Sequence, residues 1–181
     1  MQIDRLRPHH ASEYRRTMLG AYALSQDAFT SSVAERESLP LTWWEARLSD
    51  DALADEIVLG AFVDGRLVGV TGLSFETREK LRHKAILFGM YVDSGFRQQG
   101  IGRRLVDAAL ACARSRPDIK VVKLTVTQGN QAAQALYERC GFETFGLEPY
   151  AIALGSSYVA KVHMWCEVVA SRQYSGEVFT R

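Results

Sequence analysis

The chain has no apolar run approaching the length of a bilayer span, and its opening residues, MQIDRLRPHH, do not follow the pattern of a secretory signal. It has almost no net charge: 22 Lys and Arg stand against 21 Asp and Glu, leaving +1. That removes any general pull toward nucleic acid or an anionic membrane, so an anion site has to be local. Cysteine is scarce and odd in number. Cys112, Cys140 and Cys166 lie far apart and suit neither a metal pair nor a disulfide framework. These absences fit a reduced cytoplasm, no metal, and three thiols acting as small core hydrophobes. Repeats, low-complexity tracts and a convincing interdomain linker are also missing. What remains is an ordinary globular mixture, 47% apolar and 24% charged over 181 residues. Residues 1–168 read as one domain and 169–181 as a loosely held tail.

Local patterns divide the chain. MQIDRL suits a short first strand, and Pro8–Leu24 turns helical, with Tyr14, Met18, Ala21 and Tyr22 at spacings of three and four. SQDAFTSSVAERESLP reads as an irregular loop with a frayed turn. Thr42, with Glu45 three residues on, predicts a capping-box start to a short helix. Two β-rich runs, Glu56–Val63 and Arg66–Phe75, flank Asp64-Gly65, which predicts a hairpin with a type I′ turn. A third strand covers Lys84–Asp93. A helix follows to about Ser115, with Ile101, Leu105, Ala108, Ala109 and Cys112 on one stripe. IKVVKLTVT reads as a strand buried on both faces. Asn130–Arg139 reads as a helix, and Phe142–Glu148 and Tyr158–Glu167 as the last strands. This order predicts an α/β (α+β) fold with a mixed, mostly antiparallel sheet and one parallel step through a helical crossover.

The most informative stretch is RQQGIGRRLVD, Arg97–Asp107. The first turn of a helix leaves backbone N–H groups without partners, and its aligned dipoles add positive charge. Those donors suit a phosphate or diphosphate. Gly100 and Gly102 would let the chain curl closely around such an anion, and Arg97, Arg103 and Arg104 add charge. The spacing excludes the nucleoside-triphosphate loop G-x-x-x-x-G-K-[ST]. Position 105 is leucine, so the dinucleotide pattern G-x-G-x-x-G lacks its third glycine.

What stands is R-x-x-G-x-G. It resembles the acyl-CoA diphosphate loop of the GNAT superfamily of N-acyltransferases, whose signature is [Q/R]-x-x-G-x-[G/A]. The later stretch TQGNQAAQALYERCGF resembles the second part of that pattern: an Asn after a strand, then a helix carrying A-x-x-L-Y and ending in GF. Gln98 stands where the family often has glycine, and Ser94-Gly95 where it often has proline; neither change removes a backbone donor.

The resemblance implies a GNAT fold with a six- or seven-stranded sheet, helices on both faces and central parallel strands that splay apart. It implies acetyl-CoA as the acyl donor and an amine as acceptor, joined by direct attack in a ternary complex. The loop residues Arg97, Gln98, Gln99, Gly100, Ile101, Gly102 and Arg103 would hold the diphosphate. Main chain at Met90, Tyr91 and Val92 would pair with the pantetheine amides, with a backbone N–H near Tyr91–Val92 polarising the thioester carbonyl. Asn130 suits an N-cap, and the resemblance adds a bond to the pantetheine arm. Tyr137 lies two helical turns beyond Asn130 and matches the family tyrosine that protonates the departing thiolate, set against a reading as an amphipathic core tyrosine.

For the base that frees the amine, Glu76 and His83 are the candidates, set against readings as a solvated charge and a strand-edge packing residue. Glu148, Tyr150 and His163 are further candidates for lining the acceptor pocket. A non-catalytic acyl-CoA-binding domain of the same fold is the alternative function. Nucleic acid and membrane are not expected partners, and monomer and homodimer both stay open.

Overall fold

The computed structural model describes residues 1–168; the tail 169–181, expected to be loosely held, lies outside the described residues. The elements are β1 (Gln2–Arg5), a 3-10 turn (Pro8–His10), α1 (Ala11–Leu24), α2 (Val33–Glu37), α3 (Leu41–Ala46), β2 (Glu56–Val63), β3 (Arg66–Phe75), β4 (Lys84–Val92), a second 3-10 turn (Ser94–Phe96), α4 (Ile101–Arg114), β5 (Val121–Thr127), α5 (Gln131–Arg139), β6 (Glu143–Leu154) and β7 (Ser157–Glu167). The strands form one seven-stranded sheet in the order β1-β2-β3-β4-β5-β7-β6. Every pairing is antiparallel except that of β4 with β5, which α4 connects.

The two faces carry separate cores. On one, Tyr14 and Met18 of α1 and Trp44 of α3 pack on Val58, Leu67 and Val70. On the other, Ile101, Leu105 and Ala109 of α4 and Tyr137 of α5 pack on Leu59, Val68, Val122 and Leu124. Each such fully buried apolar side chain contributes roughly 1.5–3 kcal/mol through water removed from its surface. Among the described residues no helix is long and apolar enough to cross a membrane.

The hairpin has the expected bounds. Asp64 and Gly65 both adopt positive φ, +50° and +78°, as a type I′ turn requires. The turn expected within the loop after α1 is a capped short helix, α2. Ser32 caps it: its Oγ accepts from Glu35 N at 3.2 Å, and Glu35 Oε2 accepts from Ser32 N at 2.8 Å. The capping box expected at Thr42 is absent. Helix α3 starts at Leu41 behind Pro40, whose extended conformation leads into it, and Thr42 already lies inside the first turn.

Strand β5 is not buried on both faces. Val122, Leu124 and Val126 are buried, while Thr125 is exposed and Lys123 half-buried. The reason is coverage. The helices before β2 pack over the β1–β3 half of their face, and Ile86, Phe145 and Trp165, beyond it, are 40%, 52% and 36% exposed.

Candidate active site

β4 and β5 pair only between Lys84–Ile86 and Val121–Lys123. β4 nevertheless runs on to Val92 and β5 to Thr127, so the two strands separate. A bulge marks the divergence. The register of β3 against β4 slips between Val70 and Gly72, placing Gly89 and Met90 opposite Thr71, and Gly89 takes φ +62°. The hydroxyl of Thr71 donates to the Phe88 carbonyl at 3.4 Å across this irregularity. Beyond Ile86, the backbone groups of β4 that face β5 have no strand partner.

The gap is a cleft of about 130 Å³. Its walls are Leu87–Met90 of β4 and Thr125–Thr127 of β5, with Asn130 among the lining residues. Ala133, Leu136 and Tyr137 of α5 back it on one face of the sheet, and Ala28 and Phe29 border it on the other.

At the end of β4 the chain turns into α4. Gly100 is the N-cap residue, with φ +77°, and no side chain caps this helix. The first intrahelical bond runs from Arg104 N to the Gly100 carbonyl, 3.1 Å. The N–H groups of Ile101, Gly102 and Arg103 therefore point out of the helix end without intrahelical partners. No acidic residue occupies the first turn, where Arg103 and Arg104 stand instead. Cations at a helix N-terminus oppose its dipole, which is unfavourable unless an anion sits between them. By contrast, Ser32 caps α2 and Asn130 caps α5.

Around this end, Arg97 Nε donates to the Val92 carbonyl at 3.0 Å, engaging one of the fork's five N–H groups. Gln99 Nε2 donates to the Gly95 carbonyl at 3.4 Å, and Arg103 pairs with Asp107 at 3.6 Å on the surface. Gln98 holds φ +62°, so two left-handed residues bend the chain within three positions. The two glycines differ in role. Gly100 needs its left-handed backbone, and the space beside it is open. A Cβ on Gly102 would lie 3.1 Å from Leu136 Cδ2 and 3.4 Å from Met90 Cε. Its missing side chain lets α4 approach α5 and β4.

Asn130 Oδ1 accepts from Ala133 N at 3.1 Å, so the N-cap is formed. Asn130→Ala is expected to cost about 1 kcal/mol, which lowers Tm by roughly 2–4 °C for a chain of this size. Calorimetry that found an unchanged melt would remove the cap from the account.

Tyr137 is 5% exposed, its ring edge-on to Phe142 at a centroid distance of 5.8 Å. Burial holds its phenol well above the ordinary value of 10.0, so it keeps its proton.

The structure does not bring the two base candidates to the cleft. Glu76 pairs with Arg78 at 3.3 Å, and its N–H donates to the Lys84 carbonyl at 3.1 Å. The His83 carbonyl accepts from Lys120 N and Val121 N, 2.8 and 3.3 Å. Both residues belong to the paired end of β4. At ~3.3 Å per residue, His83 lies roughly 13 Å along the strand from Leu87. Of Met90, Tyr91 and Val92, only Met90 lines the cleft. Tyr91 packs with the α1 and α3 core, and Val92 beneath α4.

Sequence reading placed Phe29 among the aromatic walls of the acceptor site, where it does border the cleft, and missed Phe88 and Thr125 as lining residues. It named Glu148 and His163 for the acceptor pocket without joining them; in the structure they meet at 2.7 Å.

The family profile of the acetyltransferase (GNAT) family matches residues 18–142. The chain belongs to this family. Among similar proteins, N-alpha-acetyltransferase 40 of Saccharomyces cerevisiae is 31% identical over 145 residues, covering 74% of this chain and 47% of that protein. N-alpha-acetyltransferase RimI of Mycobacterium tuberculosis is 39% identical over 90 residues, covering 49% of this chain and 53% of that protein. The chain thus spans about half the length of these curated relatives. An acetyltransferase of the GNAT family from Streptococcus pneumoniae superposes with a TM-score of 0.82 at 24% identity, covering 93% of this chain and 99% of that one. The yncA protein of Salmonella typhimurium, solved with its cofactor acetyl-CoA, gives a TM-score of 0.75 at 18% identity, covering 93% and 94%. These likenesses establish the GNAT fold.

Proposed function

We propose that the protein transfers an acetyl group from acetyl-CoA to a primary amine, the preferred acceptor being the α-amine of a peptide or protein N-terminus. One observation carries this reading: the uncapped, arginine-flanked start of α4 lies at the end of the same strand, β4, whose free edge lines the cleft. The N–H groups of Ile101, Gly102 and Arg103, with Arg97 beside them, suit the diphosphate of the co-substrate. The free edge of β4 over Leu87–Met90 suits its amides, like an added strand. The bulge at Gly89–Met90, rather than Tyr91–Val92, is where a backbone donor suits the thioester carbonyl. Asn130 has an amide nitrogen left after capping. Tyr137, protonated and in the cleft, is the proton donor for the leaving sulfur. The α-amine preference is supported by the two relatives named as N-alpha-acetyltransferases.

Acetyl-CoA at a hundredfold excess over its Kd should stabilise the fold by about 2.7 kcal/mol, a rise in Tm of roughly 5–10 °C. With trialanine and Nα-acetyl-lysine as acceptors, thiol release should be faster with trialanine. No thermal shift would refute the reading. A shift without thiol release from either acceptor would select the non-catalytic acyl-CoA-binding alternative.

A further inference from the structure

We propose that His163, oriented by Glu148, is the base that takes the proton from the acceptor amine; this deepens the acyl-transfer reading and rests on it. The cleft is backed on one face of the sheet by α5, with α4 against it, so an acceptor has to arrive on the other face. There β5, β7 and β6 are uncovered beyond the Asp27–Ala28 segment, which lies over Thr127 and Lys161, and few groups can take a proton. Glu56, on the same face of β2 as Val58, is engaged by Arg47 at 2.5 Å. Lys161 donates to Thr127 Oγ1 at 2.8 Å and to the Ala28 and Asp27 carbonyls at 3.0 and 3.3 Å. Lys123 stands over the Phe145 ring at 5.2 Å.

His163 is placed differently. The register of β5 on β7 sets it directly opposite Thr125, on the same face, and Thr125 lines the cleft. Its Nε2 lies 2.7 Å from Glu148 Oε2 on β6. An ionised carboxylate only accepts, so Nε2 carries the hydrogen and Nδ1 keeps the lone pair. The β6–β7 register slips between Thr144 and Gly146, and Phe145 at that slip stands edge-on to the imidazole, 5.8 Å between centroids. The ring is thus held by a carboxylate and an aromatic face, and its side chain is 32% exposed.

The step balances. An N–H bond of the arriving ammonium breaks and its proton moves to Nδ1, leaving a neutral amine and an imidazolium that Glu148 stabilises. The amine nitrogen bonds to the acyl carbon as the C–S bond breaks. Tyr137 gives its hydroxyl proton to the sulfur and recovers one as the new amide nitrogen sheds its second proton through water. The imidazolium returns its proton to solvent. Facing the imidazole are Glu148 from β6, Lys123 from β5, and Lys161 two residues back on β7.

The test is the pH profile of kcat/KM for trialanine, with acetyl-CoA thermal shift as the control for folding. The wild-type profile should be bell-shaped, with an acid limb where the base is already protonated and a basic limb at about pH 8, where the peptide's own α-amine has lost the proton that the base must take. H163A should lower kcat/KM about 10²-fold, lose only the acid limb, regain part of its rate with added imidazole, and keep the acetyl-CoA shift. E148Q should lower kcat/KM severalfold and keep the acetyl-CoA shift, because the ring loses the carboxylate that orients it. A folded H163A or H163N with turnover within twofold of wild type and both limbs intact overturns the proposal. If both variants lose the acetyl-CoA shift, E148Q decides alone, and an unchanged kcat/KM overturns it. Wild type that neither binds acetyl-CoA nor releases thiol would instead fail the underlying reading, a distinct outcome.

Discussion

Tyr137→Phe is expected to leave the fold and acetyl-CoA binding intact and to lower kcat by 10²-fold or more, the range for a lost proton donor at a reacting atom. The argument has two parts. The ring is the structural half of the residue: it is buried, it meets Phe142 edge-on, and phenylalanine fills the same volume. The hydroxyl is the chemical half. Burial raises its pKa, so the phenol is protonated throughout the working pH range and can serve only as a donor. Loss should therefore appear in kcat, with acetyl-CoA affinity from calorimetry changed little. Equal turnover of wild type and variant at every pH would make Tyr137 a packing residue.

What the sequence disclosed about this site follows a pattern. Features written in consecutive residues were legible: the Asp64-Gly65 turn and its strands, the Arg97–Arg103 loop at the mouth of α4, and Asn130 with Tyr137 two turns along one helix. Helix α2 was also written locally, in Ser32 and Glu35, but its five residues lie in a polar stretch with no apolar stripe, so the loop reading prevailed. Features set by how strands align were not legible. Glu76 and His83 fell at the paired end of β4 because the bulge position, not chain order, decides where the cleft opens. The meeting of Glu148 with His163 depends on a slipped β6–β7 register. The exposure of β5 depends on how far α1–α3 reach across the sheet. Gly102 shares its pattern with Gly100, and its packing against Leu136 and Met90 was legible only in the structure.

Lys161→Met is expected to destabilise the protein by about 1–3 kcal/mol, the scale of lost hydrogen bonds from a charged donor, and so to lower Tm by roughly 2–12 °C. The ammonium, on a residue only 4% exposed, ties the Asp27 and Ala28 carbonyls to Thr127. Ala28 and Phe29 border the cleft, so KM for the acceptor should rise severalfold while acetyl-CoA binding changes less.

The variant also carries a pH signature. Burial lowers the Lys161 pKa below its ordinary value of 10.5 in the folded chain. Between those two values the unfolded chain holds the extra proton, so this residue makes stability rise with pH across that window and level off above it. Melting curves from pH 7.5 to 10.5 should show wild type gaining on Lys161→Met as pH increases. A constant difference in Tm would mean that the lysine's ionisation is not coupled to folding.

The central claim is that backbone donors at the start of α4 and along the free edge of β4 bind acetyl-CoA. An amide NMR titration reads it directly. Added acetyl-CoA should move the Ile101, Gly102 and Arg103 N–H resonances most, together with those of Leu87–Met90, and leave the hairpin at Asp64-Gly65 still. Saturation with those amides unmoved, or with the largest changes at the open hollow between Asp4, His10 and Phe62 near the β1 edge, would contradict it.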